Sequence, residues 1–260
     1  MDALLNMACP EVNTLLLIFV RVGICFAVLP IFGSNLLPRR ISAMLALFLS
    51  LVLLPVVGPV DIDIQDMDVF FLLIVLVQNL LVGLCLGLSI NIIFSGAQVA
   101  GQLVGFQMGF AMANVLDPMT GATAPVTANL LYVTAILIFF ALGGHYFLIR
   151  GLVESFTLVP IAAEIPRAGF FSITVAYGSK MFLIALKVAS PVIAVLLLMN
   201  VSFALVARAV PQMNVFIMSF PLTIAVGLIF ITVVIKMLPF FLEAAIADAW
   251  GFIKAAMSLF

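Results

Sequence analysis

The segment from residue 69 to residue 116 reads VFFLLIVLVQNLLVGLCLGLSINIIFSGAQVAGQLVGFQMGFAMANVL and contains no charged side chain. A helix needs about 20 apolar residues to cross the hydrocarbon core of a bilayer, so this segment is longer than one crossing requires. Further long uncharged runs cover residues 41–60 and 118–149. The sequence therefore predicts an all-α protein whose helices are embedded in or assembled on a membrane.

The composition of the whole chain agrees with this prediction. Of its 260 residues 66% are apolar and 8% are charged, whereas a soluble domain is about 45–50% apolar and about 25% charged. So apolar a chain is not disordered. A net charge of −1 excludes a basic nucleic-acid binder, and three widely spaced cysteines exclude a disulfide scaffold.

The order of the apolar runs predicts about six hydrophobic helices in membrane-associated hairpins, plus a re-entrant or packed segment. We treat residues 1–260 as one domain, with N-terminal helices in residues 1–126 and C-terminal hairpins in residues 127–260. An amphipathic tail begins at Lys236. The runs, some of them interrupted by single charges, cover residues 12–37, 41–60, 69–116, 118–149, 168–207 and 209–235.

The basic residues do not follow simple alternation across a bilayer. The positive-inside rule places Arg39 and Arg40 on the cytoplasmic side. Counting crossings from there puts Arg150, Arg167 and Lys236 outside, on the side where the rule does not expect basic residues. Either the number of crossings differs by one, or some helices do not cross the bilayer in simple alternation.

A strip of small residues recurs every four positions in the long uncharged run. In apolar surroundings this spacing lets helix backbones approach closely. Each step of four residues turns the strip by about 40°, so a long strip contacts several crossing neighbours. The alternative is that glycine is simply common in membrane helices. The strip consists of Ala97, Gly101, Gly105, Gly109 and Ala113.

A segment rich in methionine follows the strip and ends in a polar turn. Methionine side chains are flexible, and hydrophobic constrictions can gate a pore by excluding water. A chance cluster in a chain with 13 methionines is an equally good interpretation at this point. The residues concerned are Met108, Phe110, Met112, Asp117, Pro118 and Met119.

Four cations stand in or beside apolar runs, namely Arg21, Lys180, Lys187 and Arg208. Such cations line a water-filled conduit, face a partner or snorkel to the interface. We interpret them as candidate partner-facing cations. A proton relay is poorly supported, because no intramembrane acid is in register with them.

No motif of a membrane enzyme is present. The chain has no HExxH, GxSxG or Walker sequence, and its single His145 has no carboxylate or cysteine beside it. We therefore predict neither catalysis nor a cofactor or metal.

Several short motifs are spread over almost the whole chain. They are Arg21-Val-Gly23, Gly101-Gln-Leu-Val-Gly105-Phe-Gln-Met-Gly109, Asp117-Pro118, Gly143-Gly144-His145, Ala189-Ser-Pro191, Arg208-Ala-Val-Pro211-Gln-Met-Asn214-Val-Phe216 and Phe220-Pro221-Leu-Thr followed by Gly227. Together these motifs resemble the FliR family of the flagellar type III protein-export gate. The chain is more distantly similar to the SctT proteins of injectisomes.

The resemblance implies a non-enzymatic subunit of a multi-subunit helical export gate in the bacterial inner membrane, at the flagellar basal body. FliP-like and FliQ-like subunits would complete a channel for unfolded flagellar proteins, and a FlhB-like protein would associate with it. It also implies that residues 107–123 belong to a channel plug. Tilted hairpins standing partly above the membrane plane would explain the failed charge alternation.

Two other functions stay open at this point. An injectisome export-gate subunit would share most of these features. A small-solute or ion-coupled permease should show matched halves around a charged midplane site, and no matched halves are visible in this sequence.

Overall fold

The regular structure of the protein is helical. The computed structural model describes residues 2–30, 32, 38–58, 69–110, 126–161, 166, 169–209 and 215–260. Within these ranges it contains no β-strand, which confirms the predicted all-α class. The helices in this part of the chain are α1 (Asp2–Val28), α2 (Arg39–Val57), α3 (Val69–Gln107), α4 (Val126–Ala141), α5 (Gly144–Leu158), α6 (Phe170–Ala209) and α7 (Val215–Met257).

The number of membrane-spanning candidates agrees with the predicted six. Five described helices are long and apolar enough to cross a bilayer. Helices α4 and α5 are separated by a short break and bent by 70°, so together they form either a broken span or a re-entrant loop. Gly143 lies at this break with φ +74°, a backbone conformation that glycine adopts without strain.

Three helices are much longer than one crossing requires. Helices α3, α6 and α7 contain 39, 40 and 43 residues, which makes them about 58 to 65 Å long at about 1.5 Å per residue. The hydrocarbon core is about 30 Å thick, and a helix tilted by about 40° uses about 39 Å of its length to cross it. Parts of all three helices therefore extend beyond the hydrocarbon, which gives a physical reason for the failed charge alternation.

Two boundaries differ from the sequence prediction. The first run was expected to extend to Leu37, but α1 ends at Val28, because Pro30 disfavours helical backbone in the residue before it. The tail expected from Lys236 is the C-terminal part of α7 rather than a separate helix.

The chain forms two compact units, each built from separated parts of the sequence. Unit 1 contains residues 1–92, 143–178 and 246–260. In its core the rings of Tyr177 and Phe252 stack with centroids 4.1 Å apart. Unit 2 contains residues 93–142 and 179–245.

Unit 2 has an aromatic core of its own. The buried ring of Phe94 meets Phe139 edge to face at 5.2 Å. Leu131 of α4 and Leu196 of α6 are also fully buried. Helices α3, α6 and α7 contribute residues to both units.

Candidate functional site

Most of the predicted small-residue strip lies in the described part of α3 and its end. Ala97, Gly101 and Gly105 are buried, and Gly109 is half-buried. Ala113 lies outside the described residues. The strip as a whole stays a prediction. Gly101 and Gly109 show how closely neighbouring helices approach α3.

Gly101 permits backbone contact between α3 and α4. A Cβ atom at this position would stand 2.5 Å from both the Cα of Ala128 and the carbonyl oxygen of Thr127. The hydroxyl of Thr127 donates a hydrogen bond of 2.7 Å to the carbonyl oxygen of Gly101. No side chain larger than hydrogen fits here unless the two helices separate.

The end of α3 is enclosed by α7. Gly109 has φ +87°, and the ring of Phe220 lies 3.0 Å from where its Cβ would be. Met108 is fully buried, and its side chain fills the space beside Gly227, where a Cβ would be 2.6 Å away. Met108 therefore packs inside unit 2, and its role in a channel plug stays a prediction.

The remaining plug candidates are only partly described. Phe110 is half-buried. Four candidates lie outside the described residues, namely Met112, Asp117, Pro118 and Met119.

Three of the four candidate cations lie on α6. Lys187 and Arg208 are exposed, and Lys180 is half-buried. Arg208 lies in the last turn of α6, where a positive charge interacts favourably with the helix dipole. Their role towards a partner stays a prediction.

Arg21 differs from the other three cations because it lies in the interior of the chain, and its predicted role towards a partner stays a prediction. Its side chain is fully buried in unit 1. The guanidinium Nε donates to Asn79 Oδ1 at 2.9 Å. Nη1 donates to the backbone oxygen of Ser155 at 2.9 Å, and Nη2 donates to that of Val159 at 3.0 Å. The ring of Phe156 lies 4.2 Å from the guanidinium carbon.

The acceptors around Arg21 are neutral, and the two backbone acceptors belong to the C-terminal end of α5. The last carbonyl groups of a helix lack partners within the helix and carry the negative end of its dipole. Ser155 lies in the last turn of α5, and Val159 is the capping residue. In the part of the chain that the structure describes, Arg21 is hydrogen-bonded to no carboxylate.

Two neighbouring amides on α3 hold the chain that leaves α5. Asn79 Nδ2 donates to the carbonyl oxygen of Ile161 at 3.1 Å. Gln78 Nε2 donates to that of Pro160 at 3.0 Å. Both amides are buried. Residues 159–161 are therefore fixed by α1 and α3 together, and Arg21, Gln78, Asn79 and Ser155 form one polar cluster.

Two glycines on α3 let α1 approach this cluster. A Cβ on Gly83 would collide with the backbone oxygen of Arg21, and one on Gly87 would stand 2.9 Å from that of Cys25. The sequence analysis missed both glycines, although they are four residues apart like the members of the strip. It also missed Gln78 and Asn79, whose signal is a pair of amides inside an apolar run.

The described residues hold the helices together and show no catalytic arrangement. No group of three or more His, Cys, Asp or Glu side chains within the described ranges could bind a metal ion. His145 lies beside Tyr146 with ring centroids 4.2 Å apart. The role that the structure supports for these residues is helix packing.

Large apolar side chains also cover the outside of α6. Exposed residues extend from Phe171 to Val206, about 53 Å along the helix axis. They are Phe171, Val175, Phe182, Leu183, Leu186, Leu197, Leu198, Val201, Leu205 and Val206.

Comparisons with known proteins agree with the motifs. The family model described as "Bacterial export proteins, family 1" matches residues 12–249. The flagellar biosynthetic protein FliR of Bacillus subtilis is 34% identical over 84% of each chain. The FliR protein of Escherichia coli is 30% identical over 92% of this chain and 90% of its own. That of Aquifex aeolicus is 32% identical over 83% of both chains.

Substitution of Gly101 tests the close approach of α3 and α4. We expect Gly101→Leu to lower the free energy of unfolding by about 1–3 kcal/mol or more, because overpacking forces the two backbones apart. Gly178→Leu is the matched control, since a Cβ at that helical glycine meets no atom within 4 Å. Chemical unfolding of the variants reconstituted in lipid nanodiscs gives the measurement. Equal stability of the two variants would contradict the contact.

Proposed function

Since the chain belongs to bacterial export protein family 1, whose model covers residues 12–249, we propose that it is a non-enzymatic subunit of the flagellar type III export gate. In this proposal it forms a channel for unfolded flagellar proteins with FliP-like and FliQ-like subunits. The observation that carries the proposal is the similarity, over most of the chain, to proteins named flagellar biosynthetic protein FliR.

The setting of this function is a membrane. The family and the five or six apolar spans indicate a multi-pass membrane protein of the flagellar apparatus. We propose the bacterial inner membrane as its location, because the export substrates are made in the cytoplasm. The flagellar relatives favour this function over an injectisome subunit or a permease.

The exposed face of α6 supports the proposed partners. Its apolar side chains extend over about 53 Å, while the hydrocarbon covers at most about 39 Å of a tilted helix. Some of these side chains therefore lie outside the lipid, where an apolar surface marks a protein interface. A FliP-like or FliQ-like helix would cover them.

We expect the protein expressed alone to be poorly behaved in detergent, because this apolar face has no partner. Co-expression with FliP-like and FliQ-like subunits should give a single complex that co-purifies. Size-exclusion chromatography with light scattering measures both states. An unrelated multi-pass protein expressed at the same level is the control. A stable monodisperse monomer that captures neither subunit would contradict the proposed function.

The channel plug is a proposal about the segment that follows α3. Gly109 has a left-handed backbone, which interrupts the helix directly after Met108. The next residues are Phe110, Ala111 and Met112, which offer apolar and flexible side chains. Such side chains exclude water and can also yield to a passing polypeptide.

We expect replacement of both Phe110 and Met112 by Ala to leave an assembled complex that conducts small ions, because the apolar constriction is lost. Deletion of residues 112–120 should do the same. Conductance of the reconstituted complex in planar bilayers is the measurement.

Phe106→Ala is the matched control, because Phe106 is an exposed phenylalanine one turn earlier, within α3. An assembled double variant that stays as ion-tight as the Phe106→Ala protein would show that the segment is a packing loop.

A further inference from the structure

A cavity of about 440 Å³ lies between α1 and α2 in unit 1. Its volume falls in the range of small-molecule pockets, about 300–1,000 Å³. The walls are mostly apolar and include Phe19, Phe26, Phe32 and Ala43. Such walls suit a hydrocarbon chain.

The polar groups of the cavity lie at the beginning of α2. The hydroxyl of Ser42 already donates to the carbonyl oxygen of Phe32 at 2.8 Å. Arg39, the first residue of α2, also lines the cavity. Arg39 and its neighbour Arg40 are exposed, and neither makes an ion pair with a described residue.

The first turn of α2 adds a further preference for an anion. It contains no acidic residue, and the preceding Pro38 makes no capping hydrogen bond with its side chain. The amides of Ile41 and Ser42 donate to the carbonyl oxygen of Pro38, and the first turn of a helix carries the positive end of its dipole. Arg39 and Arg40 therefore begin a helix end that also attracts negative charge.

The position of Arg39 and Arg40 along α2 corresponds to the headgroup depth of a bilayer. Helix α2 has 19 residues, about 28 Å, which matches a hydrocarbon core of about 30 Å. Large exposed apolar side chains begin with Ile41, directly after the two arginines. The cavity reaches Ala46, about 10 Å further into the apolar span.

We propose that this cavity holds one acyl chain of an anionic phospholipid, whose phosphate is bound by Arg39 and Arg40 at the beginning of α2. Charge complementarity favours this occupant over a protein segment, because Arg39 lines the apolar cavity and a second exposed cation, Arg40, follows it at the start of α2. Basic pockets between transmembrane helices bind anionic lipid headgroups.

The test uses the full chain reconstituted in nanodiscs of phosphatidylcholine with a minor share of phosphatidylglycerol. Native mass spectrometry after release from the nanodisc counts each lipid that stays bound. The wild type should retain phosphatidylglycerol in preference to phosphatidylcholine. Replacing either arginine by glutamine should reduce this preference about fivefold. Replacing both should reduce it about thirtyfold.

A second variant fills the cavity without changing the charge. Gly23 lines the cavity, and a Cβ at this position meets no atom within 4 Å. Gly23→Leu should therefore fold normally. It should retain neither phosphatidylglycerol nor phosphatidylcholine, because the acyl chain no longer fits in the cavity. Gly251→Leu is its matched control, since that helical glycine also faces open space. Lys187→Gln with Arg208→Gln controls for the change of net charge. Both controls should retain lipid like the wild type.

Four results would overturn the proposal. The first is equal retention of the two lipids by the wild type. The second is retention of phosphatidylglycerol by Gly23→Leu at the level of the wild type. Alternatively, excess inorganic phosphate would displace the lipid completely, which would identify a simple anion site without an acyl chain. Cross-linking of Ala43→Cys to another protein subunit in place of lipid would likewise overturn it.

Discussion

A buried guanidinium that relies on neutral acceptors determines how unit 1 is built. Removing an ion from water costs several kcal/mol, and the cost is met only when the hydrogen bonds are complete and well aligned. Arg21 meets this demand with a side chain of α3 and two carbonyl groups at the end of α5. Because the donors of a guanidinium form a rigid planar fork, α1, α3 and α5 fit together around it in a single arrangement.

The same constraint explains the residues around the cluster. Asn79 accepts from Arg21 and donates to Val75 and Ile161, so its amide connects the charge to the chain that leaves α5. Gly83 lets α3 pass directly over the backbone of Arg21. The exposed apolar side chains of α6 are a separate feature, and most of them belong to unit 2. An internal polar anchor and an external apolar face suit a subunit that assembles with other helices.

The sequence predicts the helices of this protein better than it predicts their contacts. Long uncharged runs indicate α2 and α3 closely, because transfer into lipid depends on composition that can be read directly. The partner of Arg21 was not predictable in the same way. A search for acidic residues overlooks backbone carbonyl groups as partners of a cation. These carbonyl groups reach Arg21 only because α5 ends beside it, which the sequence around Arg21 does not indicate. Met108 shows the same limit, because its burial depends on Gly227, far along the chain.

A double-mutant cycle between Arg21 and Asn79 tests the anchor most directly. The variants are Arg21→Met, Asn79→Leu and their combination, and unfolding in lipid nanodiscs gives their stabilities. A hydrogen bond to a charged group predicts a coupling energy of about 1.5–3 kcal/mol. Ser50→Ala with Arg21→Met is the control pair, because the Ser50 hydroxyl bonds within its own helix, and this pair should show no coupling. If the Arg21 and Asn79 variants are additive, the guanidinium does not hold α1 and α3 together and the account is contradicted.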